Sequence, residues 1–151
     1  MSNDEDETVR NNVAHNKNTS SETLEKLSND KESSVRYNVA SNPNTSSETL
    51  DKLSNDKDYV VIRSVASNPN TSSETLGRLS NDGDWFVRNE VALNRNTPTD
   101  LLDKLSKDEN INVVQSVIRN KNTSPTTLKK LTKHKNKEVS GEARGWLDYR
   151  T

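Results

Sequence analysis

Valines recur along this chain at a fixed step. Val9, Val35, Val61, Val87, Val113 and Val139 stand 26 residues apart. Val13, Val39, Val65, Val91 and Val117 keep the same step, which ends at Ala143. Leu24, Leu50, Leu76, Leu102 and Leu128 follow it, and Leu27, Leu53, Leu79, Leu105 and Leu131 repeat it three places later. Residues 39–50 and 65–76 are one sequence, VASNPNTSSETL. Five full copies and one partial copy run from residue 8 onward without an insertion. A fixed period of roughly 20–50 residues is the signature of a stacked array, in which each copy buries its apolar face against its neighbours.

Each copy divides into two short helical pieces. In Ser34-Val35-Arg36-Tyr37-Asn38-Val39-Ala40 the apolar side chains fall at i, i+4 and i+5, one face of an α-helix. Asn42-Pro43-Asn44 ends it, because the residue before a proline is pushed out of the α region. Thr45-Ser46-Ser47-Glu48 reads as a capping box, with Thr45 accepting from the Glu48 amide and the Glu48 carboxylate reaching back. Pro98, directly after Thr97, suits a first helical turn, where no amide hydrogen is needed. Leu50 and Leu53, at i and i+3, fit an α-helix or a 3₁₀ turn equally. The expected fold is therefore all-α, an α-solenoid of five and a half 26-residue helical repeats. Residues 1–7 form an acidic tail, 8–138 the five full repeats, and 139–151 a partial repeat with a capping helix. Trp146, Leu147 and Tyr149 are the side chains expected to cover the last open face.

Composition alone points elsewhere. Only 27% of the 151 residues are hydrophobic, 30% are charged, and the mean hydropathy is −1.08, which leans toward disorder. Repetition changes that reading, since a thin Val/Ala/Leu spine suffices when every copy shares it with two neighbours. The absence of cysteine excludes disulfides, thiolate-held iron–sulfur clusters and thiol nucleophiles. No apolar run is long enough to span a membrane, and the acidic start is unlike a secretory signal, so a cytoplasmic location is expected.

The run Val35-Arg36-Tyr37-Asn38-Val39-Ala40-Ser41-Asn42-Pro43-Asn44-Thr45, followed by L-x-x-L and a small-residue/Asp turn, resembles the leucine-rich repeat variant (LRV) repeat. The resemblance covers about residues 8–140. It implies a right-handed superhelix of alternating α- and 3₁₀-helices. A founding member of that family carries a cysteine-bound iron–sulfur cluster, which does not carry over to a chain without cysteine. Arg10, Arg36 and Arg88 match the repeat's arginine, whereas Ile62, Val114 and Ser140 depart from it. HEAT-type solenoids are the neighbouring alternative, with a longer unit of roughly 40 residues.

Catalytic chemistry finds little footing. The two histidines, His15 and His134, occupy different repeat positions, and no catalytic residue, metal ligand or cofactor is expected. Asn81-Asp82-Gly83-Asp84 lacks the twelve-residue frame of a calcium loop and reads as a turn. Two asparagine ladders, Asn16, Asn42, Asn68, Asn94, Asn120 and Asn18, Asn44, Asn70, Asn96, Asn122, read as turn residues bonding local backbone. A non-enzymatic scaffold for protein–protein interaction is the expected function.

Two features could carry binding. The position opening the first helix reads Ser33, Tyr59, Trp85, Ile111 and Lys137, so large apolar residues occur there only in central copies. Tyr59, Trp85 and Ile111, with Phe86 beside them, are the candidate protein-binding residues; a staple of the helix start to the core is the competing reading. Charge is the second feature. Residues 1–30 carry −4 and residues 115–151 carry +6, within a chain of net charge −1. Lys129, Lys130, Lys133, Lys135 and Lys137 lead the basic end and are the candidates for an alternative, nucleic-acid-binding reading. Opposite charge at the two ends favours a monomer or a weak head-to-tail association.

Overall fold

Short polar side chains start most of the helices that the valine and leucine periods require, α3 and α8 beginning on Glu32 and Pro98 without a side-chain cap. Asp6, Asp58 and Asp84 accept the amides of Thr8, Val60 and Phe86, and Asn110 accepts that of Asn112, each satisfying one orphan donor of a first turn. In a computed structural model of the chain, which describes residues 4–150, the result is eleven α-helices among the described residues. They are α1 (Glu7–His15), α2 (Ser21–Leu27), α3 (Ser33–Ser41), α4 (Ser47–Leu53), α5 (Tyr59–Ser67), α6 (Ser73–Leu79), α7 (Trp85–Leu93), α8 (Thr99–Leu105), α9 (Ile111–Arg119), α10 (Pro125–Leu131) and α11 (Lys137–Arg150). Nine-residue and seven-residue helices alternate up to α10, so each copy contributes one of each.

Of the two forms open to the shorter piece, the α-helix is the one found. The Leu50 amide reaches Ser46 and the Ser54 amide reaches Leu50, both i→i−4. Only the closing turn tightens, with Asn55 and Asp56 bonding the carbonyls of Lys52 and Leu53 at i→i−3. The cap lies one residue later than the capping-box reading placed it. Ser46, not Thr45, accepts from a backbone amide, that of Thr49. Thr45 is buried and spends its hydroxyl on the Val39 carbonyl at 2.5 Å, closing the end of α3. Thr71, Thr97 and Thr123 treat Val65, Val91 and Val117 in the same way. Pro98 likewise is the N-cap of α8 rather than a first-turn residue, whereas Pro125 does occupy the first turn of α10.

The chain falls into two compact units, Met1–Thr75 and Leu76–Thr151. In the first, α1 packs on α3 and α3 on α5, with α2 and α4 lying against them. Val35, Val39, Ala40, Leu50 and Leu53 are buried, as are Ala14, Leu24 and Leu27. Val9 and Val13 are only half-buried. In the second, α7 packs on α9 and α9 on α11, over buried Val87, Val91, Leu102, Leu105, Val113 and Val117. The second unit ends on a cluster of Val114, Ile118, Leu128, Leu131, Val139 and Ala143, against which Trp146 and Leu147 pack. Tyr149 stays 82% exposed, its ring edge-on to Trp146 with centroids 6.0 Å apart.

Asparagine does more than make turns. The Asn42 Oδ1 accepts from the Asn44 amide, the local bond expected of a turn residue. Its Nδ2 donates to the carbonyls of Ala14 and Asn16 in the copy before, at 2.8 and 3.0 Å. Asn68 repeats this with Ala40 and Asn42, and Asn120 with Ala92 and Asn94. Asn44, Asn70 and Asn122 form a second, more exposed row of such links. These amides tie successive copies together where apolar area is scarce.

Candidate functional site

An N-capping aspartate or asparagine two residues ahead of each helix's second residue fixes where the central apolar side chains project. Tyr59, Trp85 and Ile111 are the first residues of α5, α7 and α9. In the first unit Tyr59 is 61% exposed, beside an exposed Val60. It edges a recess of about 420 Å³ shared with Lys31, Glu32, Ser33, Arg36, Lys57 and Asp58. In the second unit Trp85 stacks on Phe86, centroids 3.8 Å apart and planes inclined by 27°. Trp85 is half-buried and Phe86 is 42% exposed. Ile111 is half-buried and packs against the Val114–Leu131 cluster, as a staple would. The same position thus holds an exposed residue, Tyr59, and two half-buried ones, Trp85 and Ile111, the latter packed against the core cluster.

Each unit also holds buried ion pairs that sequence reasoning passed over. Arg36 grips Asp56 with two hydrogen bonds, 2.6 Å from Nε and 2.9 Å from a terminal nitrogen, both side chains 7% exposed. Its other terminal nitrogen donates to the carbonyls of Asp30 and Lys31. Arg10 repeats the pattern with Asp30, and Arg88 with Asp108. The hydrogen bond from Arg10 holds the Asp30 carboxyl below its ordinary range, and the one from Arg36 does the same for Asp56. At Asp108 burial is the largest influence and pulls the other way, and the Arg88 contact and the Asn110 amide together outweigh it. The signal was available in the sequence as Arg and Asp 20 residues apart, at 10/30, 36/56 and 88/108.

In the fifth copy both partners are gone, replaced by Val114 and His134. A recess of about 600 Å³ lies there, floored by Ile111, Val114 and Leu131. Lys107, Lys130, Lys133, Lys135 and His134 border it, with Asp108 and Glu109 on the other side. Of the basic-end lysines, Lys130 is paired with Asp103 at 3.0 Å, and with Thr127 it lowers that carboxyl's pKa. Lys129, Lys133, Lys135 and Lys137 are exposed. His15 is exposed on α1, whereas His134 accepts the Asn136 amide on Nδ1 at 3.1 Å. Asp82 and Asp84 serve as turn and cap, accepting the amides of Asp84 and Phe86, as the turn reading of that segment expected.

No protein-family model matches the chain, and no curated protein matches it. Solved structures do. A leucine-rich repeat variant described as having a novel repetitive structural motif is 25% identical over 97% of this chain and 68% of that one, with a TM-score of 0.47. It is of the kind of repeat that the sequence resembles. An engineered protein aligns with 98% of this chain and 92% of its own at 19% identity and a TM-score of 0.56. A designed armadillo repeat protein in complex with the peptide (KR)4 aligns with 95% of this chain and 91% of its own, at 18% identity and a TM-score of 0.52. The last two show the fold, an α-solenoid of helical repeats.

Proposed function

We propose that the chain is a non-enzymatic repeat scaffold that binds a protein partner through the apolar side chains opening its central helices. The stacked Trp85–Phe86 pair carries this reading. The interior is already filled by Val, Ala and Leu, yet two aromatic rings sit at a helix start with Phe86 42% exposed. Other copies fold with Ser33 or Lys137 at the Trp85 position, so an aromatic residue there is not a requirement of the repeat. Trp and Tyr are the residue types most enriched among interface hot spots, and extended repeat surfaces commonly serve binding. In the second unit Ile111 adds the outer half of a side chain whose inner half belongs to the core. In the first, Tyr59 and Val60 offer an apolar surface of their own. The relatives by fold include a designed protein that holds a peptide, which agrees with the reading at the level of architecture.

The test is capture of partners from cell extract by the wild type and by Trp85→Ala, Phe86→Ala and Tyr59→Ala, with a thermal melt of each. The reading expects capture to fail in Phe86→Ala while its melt stays close to that of the wild type. Capture that persists in all three would overturn it. If the material captured is nucleic acid, and if binding to random-sequence DNA falls log-linearly with salt and is lost on reversing Lys129, Lys133, Lys135 and Lys137, the basic-end alternative replaces it.

A further inference from the structure

We propose that the recess over Val114 binds an acidic peptide segment that places one apolar side chain on its floor. The second copy has a smaller recess of about 420 Å³ at the same place, lined by the bridging Arg36, so what the paired replacement changes in the fifth copy is the lining, which becomes apolar, and not the opening itself. In the first, second and fourth copies an arginine spans this place, donating to an aspartate ahead of it and to two turn carbonyls behind it. Val114 and His134 supply neither guanidinium nor carboxylate. The carbonyls of Asp108 and Glu109 are the counterparts of those that Arg36 and Arg88 bind, and in this copy no arginine side chain donates to them.

Three kinds of group therefore converge on one opening. The first is apolar: Ile111, Val114 and Leu131 form a floor, and the about 600 Å³ above it is ample for an aliphatic or aromatic side chain. The second is a set of backbone acceptors, Asp108 and Glu109, suited to peptide N–H groups. The third is positive. Lys107, Lys133 and Lys135 are exposed, beside His134, whose Nδ1 accepts the Asn136 amide. The two carboxylates at the border cancel this charge only in part, since Arg88 offsets one of them and three lysines face the other, Glu109. Asp108 is held by Arg88 through two hydrogen bonds, and Glu109 lies 3.7 Å from the same guanidinium. What remains is a basic edge over an apolar floor, complementary to an Asp/Glu-rich segment with one large apolar residue. Nucleic acid fits less well, because its backbone brings no amide to the carbonyls and no Phe, Tyr or Trp lines the recess for a base to stack on.

This inference rests on the reading of the chain as a protein-binding scaffold, but not on the Trp85–Phe86 pair. The probe is a dye-labelled peptide, Glu-Glu-Leu-Glu-Glu, titrated with the full chain by fluorescence anisotropy. Binding should weaken at least roughly tenfold in Lys133→Glu/Lys135→Glu, both exposed positions that the fold does not use. Restoring the missing pair with Val114→Arg/His134→Asp should weaken it at least severalfold, since the bridge then replaces the apolar floor and takes up the two turn carbonyls, as Arg36 does in a recess that stays open. Replacing the central leucine of the probe by glycine should also weaken binding severalfold. The proposal is overturned if the wild type does not bind the probe, or if the charge-reversed chain binds it as the wild type does. It is also overturned if an oligo-deoxythymidine of equal charge binds more tightly and displaces the peptide. Capture lost in Phe86→Ala with peptide binding intact would leave both readings standing as separate sites. Peptide binding without any Phe86-dependent capture would remove only the first.

Discussion

Removing the amide of Asn42 tests how much of this fold depends on links between copies. Asn42 is 3% exposed, and its side chain makes three hydrogen bonds to backbone. Two of them, to the carbonyls of Ala14 and Asn16, reach into the preceding copy; the third, from the Asn44 amide, is local. Asn42→Ala leaves these groups without their side-chain partner. With roughly 1 kcal/mol per hydrogen bond lost, and more where a buried group finds no substitute, the cost should be about 2–4 kcal/mol. Asn16 is the control, because it holds the same repeat position but is exposed and makes only the local bond, from the Asn18 amide. Asn16→Ala should cost about 1 kcal/mol or less. Asn44→Ala, at an exposed link to Lys17, should fall between the two. Urea unfolding followed by circular dichroism measures all three. Equal destabilisation by Asn16→Ala and Asn42→Ala would refute the idea that the reach across copies, rather than the turn, gives this asparagine its weight.

Arg36→Leu alone should destabilise by about 3–5 kcal/mol, because it strands the buried Asp56 carboxylate, while Arg36→Leu/Asp56→Leu should cost markedly less, as paired loss at Val114 and His134 suggests. The same bridges set the response to acid. Asp30, Asp56 and Asp108 have folded-state pKa values below ordinary, so the stability they contribute is complete above a pH of about 4 and is lost as pH falls through the lowered values. The urea midpoint should therefore be flat from about pH 7 to 5 and drop below about pH 4, with a shallower drop in the double leucine variant. Gly77 lies inside α6 with open space where a Cβ would stand and without a positive φ, so Gly77→Ala should stabilise by about 0.5–1 kcal/mol, read as a higher Tm.

Much of the architecture was legible because a period cannot hide. Val35, Val39, Leu50 and Leu53 named the buried faces, and every one of them is buried. The residues that chemistry makes interchangeable were harder. Thr45, Ser46 and Ser47 can each cap a helix, and only the packed copy shows that Thr45 is drawn inward to the Val39 carbonyl, leaving Ser46 to cap. The asparagine ladders were visible as residues, but their donors reach backbone in the copy before, 26 and 28 positions back, a pairing that appears once the copies are stacked. The arginine–aspartate bridges left a plainer mark, a spacing of 20 residues that is broken on both sides at once in the fifth copy. The Tyr59, Trp85 and Ile111 row followed from the period as well. Sequence position alone did not distinguish Ile111, half-buried against the core cluster, from Tyr59, which is 61% exposed at the same place in its repeat.

The most direct test of a binding role is Phe86→Ala, measured for affinity and stability on the same preparation. Trp85 is half-buried, so its truncation mixes packing with binding, whereas Phe86 offers an exposed ring whose loss the core should tolerate. With the captured partner purified, calorimetric titration should show Kd raised roughly thirtyfold or more, corresponding to a hot-spot loss of at least about 2 kcal/mol, with Tm within a degree or two of the wild type. An unchanged Kd alongside a Tm lowered by several degrees would make the Trp85–Phe86 pair a structural staple and contradict the account.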